Sequence, residues 1–196
     1  MGAVRSFFIG MGAVCAHFSV IGAIIMKQNA RKLAHAAIIA ALYAALTHLQ
    51  NILVPGSATW AVHLRLSEAQ CVLSFFSPAA PMGLAVGCLI FNLTFAPALP
   101  LDFFIGTVAT YLACKVMWAT RKVTVFGIPF LGLLMPAAAN SLLVGWELTV
   151  YIGGGFWLNA LYVALGELIE LLTLGTGLYL VMKKRDLGSR LFGQSL

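Results

Sequence analysis

Six carboxyl side chains carry whatever acid chemistry this 196-residue chain can do: Glu68, Asp102, Glu147, Glu167, Glu170 and Asp186. The first five stand in or beside long apolar runs. An acid at the centre of a membrane helix costs about 2.5 to 3.5 kcal/mol, so such groups face a protein interior or a water-filled cavity. Asn92, Asn140, Asn159 and Trp157 fall in the same runs, and Arg65 lies three residues before Glu68. Carboxylates, carboxamides and an indole make up an inventory for holding a small polar heterocycle by its N–H and C=O edge. Each also has a structural reading. Glu68 and Asp102 suit the first turn of a helix, where the macrodipole favours an acid, and Trp146 and Trp157 suit an interfacial belt. Glu147 and Glu167 have no base nearby in sequence, so ligand contact is the stronger reading for them. Glu170, three residues after Glu167, has no assigned partner. The pair could instead serve a small intramembrane enzyme, but no H-E-x-x-H, Ser/His/Asp or Cys/His arrangement accompanies it. Cys15, Cys71, Cys88 and Cys114 are isolated and read as small packing residues. His35 and His48 share no metal-ligand spacing with a cysteine or acid, so neither a metal nor a cofactor is expected.

The elements that position these groups follow from composition. With 61% hydrophobic and only 9% charged residues, and a mean hydropathy of +0.97, the chain has too little charge to cover a water-facing surface. It reads as an all-α integral membrane protein without a soluble catalytic module. About 20 apolar residues span a bilayer, and the expected spans are 33–54, 67–77, 82–97, 101–118, 128–151 and 156–182. Ser77-Pro78-Ala79-Ala80-Pro81, Pro97 to Pro100 and Gly153 to Gly155 supply turns between them. Residues 1–25 form an additional apolar segment, with Met26 favoured as the start. Residues 26–185 form the membrane domain and 186–196 a tail. Six spans bring Lys27/Arg31/Lys32, Arg121/Lys122 and Lys183 to Arg190 to one face, which the positive-inside rule makes cytoplasmic. The net charge of +6 is therefore topology information, and nucleic acid is not an expected partner. Glu68, Asp102, Glu147, Asn92, Trp157 and Asn159 then gather toward the outer half, with Glu167 deeper and Asn140 near mid-membrane.

The first span carries two small-residue rows, Ala36/Ala40/Ala44 and Ala37/Ala41/Ala45. Such rows let helices approach closely in lipid, either inside the bundle or against another membrane subunit, and docking is favoured.

The string Val62-His-Leu-Arg-Leu-Ser-Glu-Ala69, followed by Phe75-Phe76, Pro78-Ala79-Ala80, Gly83-Leu84, Gly87 and Asn92, resembles the QueT family of queuosine-precursor transporters. Leu101-Asp102, Asn140, Val144-Gly145, Phe156-Trp157-Leu158-Asn159-Ala160 and Gly166-Glu167 continue the resemblance, which runs from about Met26 to Lys184. It implies a six-transmembrane-helix bundle of the kind found in the substrate-binding S components of energy-coupling factor (ECF) transporters. Such a subunit sits in a bacterial cell membrane with both ends cytoplasmic and has no catalytic activity. It captures a 7-deazaguanine queuosine precursor, or another heterocyclic micronutrient. It delivers the ligand when docked on a transmembrane coupling protein, EcfT, and two cytoplasmic ATPases. Alanine rows on the first helix match that superfamily's docking surface. The implied ligand contacts are Arg65, Glu68, Asn92, Asp102, Asn140, Glu147, Trp157, Asn159 and Glu167.

Overall fold

The computed structural model describes residues 29–57, 64–95, 98, 99 and 101–193, so residues 1–25 and His63 lie outside the described residues. The described secondary structure is helical apart from one isolated bridge, Val125 to Ile128. Helix α1 is Asn29–Leu53. A 3-10 helix, α2, follows at Leu66–Phe75, then α3 at Ala80–Thr94 and α4 at Asp102–Thr120. Helix α5 covers Phe130–Tyr151 with a break at Leu134 before Pro136, whose ring cannot continue the preceding turn. Helix α6 runs Phe156–Lys184, and a short α7 closes the chain at Leu187–Phe192.

Four of these, α1, α4, α5 and α6, are long and apolar enough to cross a membrane. The shorter α3 is also apolar. The α2 segment is buried on nearly every side, including its polar Ser67, Glu68 and Ser74. Ten residues are a long run for a 3-10 helix. Pro78 and Pro81 divide α2 from α3 as the sequence suggests, and Pro81 occupies the first turn of α3, where its missing N–H is harmless.

Within the body that begins at His35, α3 packs on α4, α4 on α5 and α5 on α6, while α2 lies among α3, α4 and α6. Close approach has a sequence cause. A Cβ on Gly83 would sit 2.6 Å from the Ala36 carbonyl oxygen, and one on Gly87 2.8 Å from that of Ala40. A Cβ on Gly145 would sit 2.8 Å from the Ala160 Cα. Small residues thus bring α1 against α3 and α5 against α6. The Ala36/Ala40/Ala44 row is accordingly an internal seam and not a free docking surface: Ala40 and Ala44 are buried, and Ala36 is half-buried. Ala37, Ala41 and Ala45, on the neighbouring row, are exposed.

Polar and apolar contents separate along the bundle. The main core joins Phe75, Phe76, Leu84, Met117, Leu133, Leu171, Tyr179 and Met182 toward the ends of α2, α4 and α6 and the starts of α3 and α5. At that end Lys183 donates to the Gly127 carbonyl at 2.7 Å, and the His35 and Phe192 rings meet edge to face. Glu68, Asp102 and Glu147 lie toward the opposite ends of their helices, Glu68 meeting the core at Tyr43 and Cys71, while Glu167 and Glu170 stand in the middle of α6.

Candidate ligand-binding site

Helix α1 supplies the scaffold. Its buried residues recur at Ile39/Ala40, Tyr43/Ala44, Thr47 and Gln50/Asn51, the three-and-four spacing of one helical face. The lower part of that face is apolar and the upper part polar, and the polar part is tied to the segment that carries Arg65 and Glu68. The Tyr43 hydroxyl donates to Glu68 Oε1, and Thr47 Oγ1 donates to Ser67 Oγ at 2.6 Å. The Gln50 carboxamide holds the backbone on both sides of Arg65: its Nε2 donates to the Leu64 carbonyl at 2.5 Å, and its Oε1 accepts from the Leu66 N–H at 2.8 Å.

Held this way, the start of α2 points a guanidinium and a carboxylate into the bundle. Arg65 is 3% exposed; its Nη2 lies 3.9 Å from Asp102 Oδ2, its Nη1 3.6 Å from the Cys88 sulfur, and its guanidinium 5.2 Å from the Phe91 ring centroid. Glu68 is also reached by the Cys71 thiol at 3.2 Å. Asn92 on α3 donates at 2.8 Å to the carbonyl of Asp102, joining the end of α3 to the start of α4.

Two further acids come from α6. Glu167 accepts from Asn140 Nδ2 of α5 at 2.7 Å, and Glu170 accepts from the Ala69 N–H at 3.2 Å. Glu167 interacts electrostatically with Glu68, Glu170 and Arg65, whereas Glu147 interacts with Asp102 and Arg65. Four further buried carboxyls, Glu68, Glu147, Glu167 and Glu170, therefore lie within electrostatic reach of the guanidinium that Asp102 approaches at 3.9 Å. Glu147 is fully buried, and neither of its oxygens has a hydrogen-bond partner among the described residues. Glu167 Oε2, Glu170 Oε2 and Asn92 Oδ1 are likewise without one. Buried acceptors are ordinarily satisfied, so this surplus is a departure that needs a reason. Its chemistry is specific: the cluster can accept more hydrogen bonds than its own groups donate, which suits a guest rich in N–H donors.

A scan against protein-family models matches residues 33–184 to the QueT transporter. The chain belongs to the QueT transporter family. It is thereby a membrane transport protein, and the buried cluster lies wholly inside the matched span. Searches of curated proteins and of solved structures find no match.

Of the residues read from the QueT-like sequence, Arg65, Glu68, Asn92, Asp102, Asn140, Glu147 and Glu167 all come together in the cluster. Trp157 does not: it is 78% exposed and meets the Phe156 ring edge to face. The inward row of α6 runs through Ala160, Val163, Gly166/Glu167 and Glu170, and Trp157 is turned out of it. Asn159 is half-buried and donates to Thr149 Oγ1 and the Gly153 carbonyl, each at 3.0 Å, so it fastens the turn between α5 and α6. Trp146 is half-exposed, in keeping with a belt position. Three participants were not read from sequence. Glu170 continues the inward row of Val163 and Glu167, and Tyr43 and Gln50 fall with Thr47 on one helical face; these spacings are the signal that could have found them.

Proposed function

We propose that this QueT family member is the substrate-binding S component of an ECF-type importer, and that its buried polar cluster binds a 7-deazaguanine precursor of queuosine. The observation that carries the reading is Glu147, a fully buried carboxylate with both oxygens free of hydrogen-bond partners among the described residues. A guanine-like edge presents an amide N–H and an exocyclic amine side by side, and a carboxylate accepts such a pair with charge-assisted strength. Asn140 and Glu167 then meet the neighbouring polar atoms. The remaining acids neutralise an aminomethyl cation where the ligand carries one. Arg65 offsets part of the repulsion among the carboxyls. The family resemblance supports the ligand class, and the acceptor surplus supports the chemistry.

In this reading α2 and α3 complete six crossings. At about 2.0 Å per residue the 3-10 helix covers about 20 Å, and α3 covers about 22 Å at 1.5 Å per residue. Both are short against a hydrocarbon core of about 30 Å. In the same reading the end opposite the site faces the cytoplasm of a bacterial cell, with both ends of the membrane domain inside, and the basic clusters support that orientation through the positive-inside rule. Docking on the coupling protein EcfT uses the exposed Ala37/Ala41/Ala45 row, and the two partner ATPases hydrolyse the ATP. A transport assay tests the assembly: cells expressing the chain with an energising module accumulate labelled 7-deazaguanine, and cells with an inactivated ATPase do not. Accumulation independent of the ATPases overturns the ECF assignment.

A further inference from the structure

The basic end of the bundle carries a second feature, separate from the acid cluster. A cavity of about 370 Å³ is lined by Arg121, Lys122 and Thr124 of the α4–α5 connection and by Tyr179 and Lys183 of α6. Three cations and two hydroxyls thus face one space, with no acid among the lining residues. Lys122, Thr124 and Lys183 are exposed and Arg121 is half-buried, but the space closes on a built element. Tyr179 is buried, and its hydroxyl and the Lys183 ammonium both donate to the Gly127 carbonyl, at 3.3 and 2.7 Å. An ammonium has three protons, so Lys183 keeps donors beyond that bond. Arg121 lies 3.6 Å over the Trp118 ring, which fixes its guanidinium at the rim.

The connection itself points the same way. Val125 and Ile128 exchange backbone hydrogen bonds at 2.9 and 3.1 Å around a two-residue turn. Phe126 and Gly127 in that turn have φ of +52° and +77°. Such turns favour Asn, Asp or Gly, and a bulky residue at positive φ is an outlier. Phe126 nonetheless stands there, 98% exposed, with Val123 and Val125 also exposed beside it. An apolar tip flanked by cations, on a connection between two helices able to cross a membrane, matches the composition of an interfacial anchor.

We propose that this cavity binds the phosphate of an anionic phospholipid headgroup, with Phe126 inserted among the adjoining chains. Arg121, Lys122 and Lys183 supply the charge, and Thr124 supplies a hydroxyl contact. The lipid is held at the basic end whatever ligand the acid cluster takes.

The full chain in neutral detergent, titrated with phosphatidylglycerol or phosphatidylcholine and read by native mass spectrometry, tests this. Retention of phosphatidylglycerol in preference to phosphatidylcholine is expected. Lys122→Gln and Lys183→Gln should each weaken it about fivefold, the change that about 1 kcal/mol per cation near an anionic surface produces. Phe126→Ser, at an exposed position, should weaken lipid retention without lowering the lipid-free unfolding temperature. Equal retention of the two lipids, or retention unchanged in Lys122→Gln and Phe126→Ser, overturns the proposal. So does displacement of phosphatidylglycerol by inorganic phosphate with Phe126→Ser silent, which would make the site one for free phosphate. A further contrary outcome is no lipid preference while the same variants abolish co-purification of a partner membrane subunit, which would make it a protein contact.

Discussion

Replacing Glu147 by glutamine separates a ligand contact from a structural acid, because the two roles give opposite signs for stability. The side chain is fully buried, both oxygens lack hydrogen-bond partners among the described residues, and its charged neighbours are Asp102 and Arg65. Glutamine keeps the shape and removes the burden of a desolvated carboxylate, so the ligand-free Glu147→Gln protein should unfold at the same or a higher temperature. Binding should move the other way. A hydrogen bond to a charged group contributes about 1.5 to 3 kcal/mol, and 1.4 kcal/mol is a factor of ten. The Kd for a 7-deazaguanine should therefore rise about tenfold to a hundredfold. Calorimetric titration and thermal unfolding on the same preparation read both quantities. A fall in unfolding temperature with unchanged affinity would refute the reasoning and make Glu147 a structural group.

Tyr43→Phe removes the hydroxyl that donates to Glu68 and leaves a buried carboxylate short of a donor, a cost of about 1 to 3 kcal/mol; denaturant unfolding should show the loss, and ligand affinity should fall with it. Ala40→Leu must push α1 off Gly87 and should destabilise by about 1 to 3 kcal/mol, whereas exposed Ala41→Leu should leave stability and binding intact and block uptake, as read by thermal unfolding, calorimetry and transport in parallel. Trp157→Ala should leave the Kd within about twofold, within the few tenths of a kcal/mol usual for an exposed side chain away from a site.

The four long helices were legible because Leu33 to Val54 and the later apolar runs carry few charges and are bounded by turn residues or by the basic Arg121-Lys122 connection, and Pro78 and Pro81 mark the turn between the two short elements. The character of the first of those was not legible. Leu66–Phe75 is a 3-10 helix, and a run of apolar and polar residues buried on nearly every side has no periodicity to distinguish it from an α-helix. The acids that converge were readable from their cost in lipid, since each of Glu68, Glu147 and Glu167 needs a protein interior. That Trp157 faces outward was not, because one residue along α6 turns a side chain by about 100° and Trp157 falls beside the inward row. The two alanine rows pose the same problem. They are equal in sequence, and only the glycines of α3 decide that Ala36/Ala40/Ala44 is the buried one.

The central claim is that the acid cluster binds a 7-deazaguanine, and direct titration of the purified full chain with such a compound by calorimetry tests it most directly. Saturable one-to-one binding, lost or weakened in Glu147→Gln, is the expected result. No heat of binding at millimolar ligand, from protein that unfolds cooperatively, would contradict it.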